Sequence, residues 1–226
     1  MIDSPIIILY RTSLLAQAAV DITPRNATGF VWSKPGQNLD QFESDYSFKK
    51  VKVRGIFDHS KEIQVEKMRN NEKGVEIITP FFTHLNEKGE ECGILVNRGW
   101  VPLDLKDLKY HYTGVTSGEI TGVLYRGDNK TKYSIPNEPT IDRFHYVNPY
   151  DLSLINQMKN LDEASQLMLL QIDENPEARQ ILPTAPTTED FKNWRISPDR
   201  HNAYAELWKH LTWAGLFANT AFWLCF

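Results

Sequence analysis

Residues 75–101 read VEIITPFFTHLNEKGEECGILVNRGWV, and this stretch decides the fold. Val75 to Leu85 is a β-branched and aromatic run, Asn86-Glu87-Lys88-Gly89 carries turn residues, and Gly93 to Val101 is a second apolar run. Two such runs joined by a short turn predict paired strands. Pro80 has no backbone N–H, which places it at an edge or a bulge. In Asn97-Arg98-Gly99-Trp100, Gly99 predicts a backbone conformation closed to other residues, or close approach of another chain. Arg98 then has two readings. Its planar fork projects from the sheet edge to bind a partner's carboxylate or carbonyl, or it pairs with an acidic residue of the fold itself.

Working outward, polar and apolar residues alternate from Lys50 to Arg54, which fits a half-buried strand beginning near Tyr46. Asp58-His59-Ser60-Lys61 reads as a turn, and Glu62 to Lys67 as the returning strand. Glu119 to Arg126 and Gln166 to Ile172 supply further strands, with a helix from Asn148 or Pro149 to about Lys159 between them. Thr131 to Ile141 is a loop containing proline, Asn175 to Trp194 is a polar connection, and Pro198-Asp199 opens a last helix. Upstream, Pro5 to Val20 is apolar but interrupted by Arg11, and is read as an amphipathic or packed helix, with a partial membrane segment as the alternative. Thr23 to Ser44 is an extended arm. The expected fold is α+β: an antiparallel, β-rich soluble domain over residues 46–196, an N-terminal helix and arm over 1–45, and a C-terminal transmembrane helix over 197–226.

The membrane expectation rests on contrast. Mean hydropathy is -0.43 for the whole chain, yet Leu211 to Phe226 carries no charge. A helix of that length reaches about 24 Å, against a hydrocarbon core of about 30 Å, and becomes long enough if Leu207 to His210 join it. Trp208, Trp213 and Trp223 lie near its ends as interfacial anchors do. Gly215 and Ala218, with Asn219 beside them, offer a face for another helix; ordinary lipid exposure is the alternative.

Composition narrows the function. A net charge of -4 without a basic stripe speaks against a nucleic-acid partner. Two cysteines, Cys92 and Cys225, form neither a metal motif nor a plausible disulfide. Paired carboxylates at a defined spacing, a phosphate loop and a nucleophile elbow are all missing from the sequence, so no enzyme is expected.

Four segments together resemble the Surfeit locus protein family, membrane-bound factors for cytochrome c oxidase assembly. They are Val51 to Glu62 (VKVRGIFDHSKE), Ile94 to Pro102 (ILVNRGWVP), Gly118 to Leu124 followed by Arg126, and Phe144-His145-Tyr146. The resemblance implies a non-enzymatic role in biogenesis of the oxidase, or a stably bound accessory subunit of it or of a respiratory supercomplex. It implies cytochrome c oxidase subunits or other respiratory-chain membrane proteins, and the lipid bilayer, as partners. It further implies the mitochondrial inner membrane, with the soluble domain facing the intermembrane space, or the plasma membrane in a bacterium. The family's His-x-x-Tyr-x-x-x-Trp pattern falls on His201, Tyr204 and Trp208, which makes His201 the implied candidate ligand for haem a. A second register aligns Thr212-Trp213-Ala214-Gly215-Leu216 with the family's Thr-Trp-x-Gly-Leu. The histidine position then falls on Glu206, and His210, one turn later, is the weaker candidate.

Overall fold

The computed structural model describes residues 19–21, 49–107, 117–128, 130–173, 182–191 and 198–225. The strands are β1 (Val20–Asp21), β2 (Lys50–Phe57), β3 (Ile63–Arg69), β4 (Glu72–Leu85), β5 (Glu91–Pro102), β6 (Ser117–Tyr125) and β7 (Met168–Gln171). The helices are α1 (Pro149–Ile155), α2 (Leu161–Ala164) and α3 (Pro198–Cys225). The expected helix before Val20 and the arm over 23–44 lie outside the described residues.

The long β4–β5 hairpin forms as the sequence predicts, from Gly74↔Pro102 to Leu85↔Glu91. It does not remain in an open sheet. β2 pairs with β6, β6 with β7, β7 with β5, β5 with β4, and β4 returns to β2, so the strands close into a barrel. Closure removes most of the free backbone edge that an open sheet would expose.

Two of the pairings correct the expectation of an antiparallel sheet. β5 and β7 run parallel through Val96↔Leu169 and Asn97↔Leu170, as do β1 and β2. The parallel join is possible because the long segment containing α1 and α2 carries the chain back before β7 begins.

Pro80 also finds a place the sequence did not foresee. It is buried and paired with Leu95, at the point where β4 changes neighbour. β4's partner is β3 up to Ile78 and β2 from Phe81 onward. A residue without an N–H costs least at such a gap between two ladders. The Pro80 carbonyl accepts from the Asp58 N–H at 3.1 Å, which ties the Asp58–Lys61 turn to this switch point.

Side-chain alternation divides the interior in two. Val51, Val53 and Phe57 of β2, Phe81 of β4, Ile94 and Val96 of β5, Leu124 of β6 and Leu169 of β7 point into the barrel. The opposite faces present Val65, Ile78, Leu95 and Met168, which are covered by Phe144, Val147 and Leu152 from the α1 region. Fully burying one such aliphatic side chain is worth roughly 1.5–3 kcal/mol, so both layers contribute to holding the barrel shut.

α1 begins as predicted. The Asn148 side chain caps it by accepting from the Tyr150 N–H at 3.0 Å, with Pro149 at its first position and Asp151 in its first turn. It ends at Ile155, earlier than the expected Lys159, because Gln157 takes a left-handed φ of 52°.

α3 is present as a continuous helix of 28 residues. However, no helix among the described residues is long and apolar enough to cross a membrane, which corrects the transmembrane assignment. Glu206 and Lys209 charge its first half, and Thr212, Gly215, Asn219 and Thr220 dilute the hydropathy of the second. Every described side chain from Asn202 to Trp223 is exposed.

Candidate functional site: the Asn97–Trp100 bulge of β5

The register of β5 against β4 slips where the sequence is most distinctive. Ile78 pairs with Asn97 and Ile77 with Gly99, so Arg98 is the extra residue of a β-bulge. Gly99 has φ 129°, and a Cβ there would collide with the Thr184 carbonyl. The positive φ meets the first reading of this glycine from sequence, while the backbone that approaches it is a segment of the same chain and not of another one. The approach is fixed by a two-way bridge. Trp100 N–H donates to Thr184 O at 3.1 Å, and Thr184 N–H donates to Trp100 O at 2.8 Å.

The bulge sends consecutive side chains into different surroundings. Arg98 continues the inward row of Ile94 and Val96 and is 6 % exposed, so it does not project from a sheet edge toward a partner. Its Nη1 lies 3.4 Å from Glu62 Oε2 and 3.4 Å from His59 Nδ1, while the guanidinium stands 5.6 Å from the Phe57 ring centre. The His59 ring stacks on Phe57 at 5.5 Å. These groups close one end of the barrel. The pairing of Arg98 with an acid of its own fold is the reading that holds, and it replaces the partner-facing one. Burial pushes the Glu62 carboxyl up to about 7, against the opposing pull of Arg98 and a hydrogen bond from Gln64.

Asn97 turns the other way. Its Nδ2 donates to Glu76 Oε2 at 3.0 Å and to the Tyr125 hydroxyl at 3.1 Å, and its Oδ1 accepts from the Gly99 N–H at 3.0 Å. The side-chain amide thus uses both donors and its acceptor. Glu76 is raised by burial, offset in part by Lys67, while burial and the Glu76 charge raise the Tyr125 phenol. This cluster opens on a cleft of about 330 Å³ walled by Trp100, Met68, Leu170 and Phe191. The cleft can take a small apolar group carrying a donor for Glu76. Among the described residues, no group of His, Cys, Asp and Glu could hold a metal ion.

Glu62, Glu76 and Tyr125 were missed as site residues by the sequence reading. The available signal for Glu76 was a single acid inside an apolar run. Glu62 gave none, because it follows directly on a polar turn.

The remaining candidates all lie on α3, away from this site. His201 is helical and its side chain lies outside the described residues. His210, Trp208, Gly215, Ala218 and Asn219 are exposed, with nothing within 4 Å of a Cβ built on Gly215. The described part of α3 therefore provides no enclosed apolar pocket beside His210, and it does not by itself fit haem.

The chain is thus a closed β-barrel carrying a bulge-built polar cluster, with a separate exposed helix. The chain belongs to the SURF1 family, whose model matches residues 11–216. It is similar to Surfeit locus protein 1 of Xenopus tropicalis, 27% identical over 200 residues, covering 80% of this chain and 58% of that one. The same-named protein of Gallus gallus is 28% identical over 204 residues, covering 81% and 59%. That of Homo sapiens is 30% identical over 117 residues, covering 44% and 38%. The chain thus spans less than two thirds of the length of each of these relatives.

Proposed function

We propose that this protein acts by contact and not by turnover, as a membrane-associated factor in the biogenesis of cytochrome c oxidase. The observation that carries the reading is membership of the SURF1 family across residues 11–216. Its location in this reading is the mitochondrial inner membrane with the barrel on the intermembrane-space side, or the plasma membrane of a bacterium. The non-enzymatic part rests on the same family membership.

In this reading α3 is the contact element. Trp208, Leu211, Phe217 and Trp223 are exposed, and a partner helix can approach along Gly215 and Ala218, with Asn219 finding a polar neighbour there. Oxidase subunits or other respiratory-chain membrane proteins would supply that partner. Assistance in haem a insertion, with His201 as ligand and His210 as the weaker alternative, belongs to the proposal only if the partner furnishes the enclosing walls. Loss of a Soret band on His201→Ala would support it. Wild-type protein that never carries haem when produced beside haem a synthesis would end it.

A second reading, a permanent accessory subunit, is favoured by the length of exposed apolar surface on α3, which a stable partner would cover. Quantifying the protein in purified, mature oxidase separates the two. Equal stoichiometry indicates a subunit. Presence only in assembly intermediates, with reduced oxidase after gene deletion, indicates a factor. Normal oxidase after deletion, with no co-migration on native gels, overturns both.

A further inference from the structure

Around the tip of the β3–β4 hairpin lies a cleft of about 770 Å³, larger than the one beside Glu76, with which it shares Lys67 and Met68. Three chain segments bring exposed apolar side chains to it: Met68 from β3, Leu103 from the turn after β5, and Ile135 from the loop before α1. They are 67%, 42% and 59% exposed, so three apolar side chains from different segments meet at one open surface.

The charged lining has the opposite sign to the chain as a whole, which is net -4. Lys67, Lys73 and Arg143 face Glu66 and Asp128. Lys67 is paired with Asp128, and Arg143 Nε lies 3.3 Å from Glu66 Oε1. Glu66 is shared further, since its Oε2 lies 3.3 Å from His145 Nδ1. Lys73 has no ion-pair partner among the described residues. Nearby, Lys130 adds a cation 5.5 Å over the ring of Tyr146, itself a wall of the cleft.

We propose that this cleft seats one anionic phospholipid, its phosphate against Lys73 and Arg143 and its first methylenes against Met68, Leu103 and Ile135. A free phosphate would use the cations and leave the apolar triad unexplained. A neutral lipid would use the triad and leave the cation surplus unexplained. The combination of an apolar patch with a basic rim is the chemistry that holds a protein at an anionic membrane surface. No described residue of α3 lines the cleft, so this contact stands or falls separately from that helix.

The test uses the full chain in a neutral detergent, with native mass spectrometry against dioleoyl-phosphatidylglycerol and dioleoyl-phosphatidylcholine at equal concentration. Retention of phosphatidylglycerol should exceed that of phosphatidylcholine, and Lys73→Gln or Arg143→Gln should each cut the excess about fivefold. Met68→Ser with Ile135→Ser should weaken phosphatidylglycerol retention while leaving the melting temperature unchanged, as these side chains are exposed. Equal retention of the two lipids by wild-type protein would overturn the proposal. So would an excess that none of the cleft variants moves, which would place the lipid elsewhere on the chain. Displacement by inorganic phosphate, with no effect of the apolar substitutions, would reduce the cleft to a simple anion site and also overturn it. Gly215→Leu serves as the separate control for α3: its effect is read in retention by the respiratory complex, and it should leave the lipid preference unchanged.

Discussion

Arg98 and Asn97 are neighbours in sequence, yet one closes the barrel and the other serves a cleft outside it. Each engages a carboxylate whose protonated form burial favours: Glu62 for Arg98 and Glu76 for Asn97. Inside, the compensation is a full opposite charge at 3.4 Å. Outside, it is an amide donor at 3.0 Å with the more distant help of Lys67. A charge pair in a buried end fixes structure, because removing either member leaves the other buried without its opposite charge. An amide-held acid beside open space keeps its ability to meet a ligand. The one-residue bulge is what separates these roles.

Arg98→Met should break the inner half most severely. It strands Glu62 in the barrel end, and removing one member of a buried pair costs about 3–5 kcal/mol, read as a lower urea midpoint. Adding Glu62→Leu to that variant should recover much of the loss. No recovery would show that Arg98 matters for something other than this acid.

Gly99→Ala tests the bulge itself. The positive φ and the collision with Thr184 should together cost at least about 1–3 kcal/mol. They should also loosen residues 182–191, seen as faster amide exchange at Thr184. Unchanged exchange would mean that the Trp100–Thr184 bridge does not depend on the glycine.

Asn97→Ala should cost about 1–3 kcal/mol by leaving Glu76, Tyr125 and the Gly99 N–H without their partner. Its effect should fall on the outer cleft and spare the barrel end. A cross-peak pattern disturbed at His59 as much as at Trp100 would contradict the separation of the two sides.

The pH dependence reads both halves at once. Glu62 has a folded pKa near 7, above its ordinary 4.5, so the folded state binds its proton more tightly than the unfolded state. The stability this provides is fully present below pH 4.5 and is lost as pH rises through about 7. Glu62→Gln should flatten the stability profile in that window. Glu76 is shifted in the same direction, so Glu76→Gln should flatten it too, and the two effects should add because different side chains compensate the two acids. A wild-type profile already flat across the window would exclude a raised Glu62.

Much of the strand layout was legible because alternation and turn chemistry are local. The hairpin over 75–101, the Asp58 turn and the Asn148 cap each follow from residues a few positions apart. The sequence reading also recognised Gly99 as special and offered an internal acid for Arg98. It could not choose Glu62 as that acid, because the choice depends on which turn folds over the barrel end, 36 residues away in the chain. Nor could it foresee the central place of Pro80, which depends on β4 exchanging β3 for β2. For α3, an uncharged run suggested a membrane span. The helix forms, but no stretch of it among the described residues is both long and apolar enough to span.

By itself, then, the order of residues determined which stretches are extended, where they turn, where α1 and α3 begin, and to which family the motifs point, since each of these depends on near neighbours or on direct comparison of residues. Only the tertiary structure decided that the strands close on themselves, that β5 meets β7 in parallel, and that Asn97 and Arg98 serve opposite sides. Those outcomes depend on contacts between residues far apart in the chain, where loop closure and burial, not local preference, select the partner.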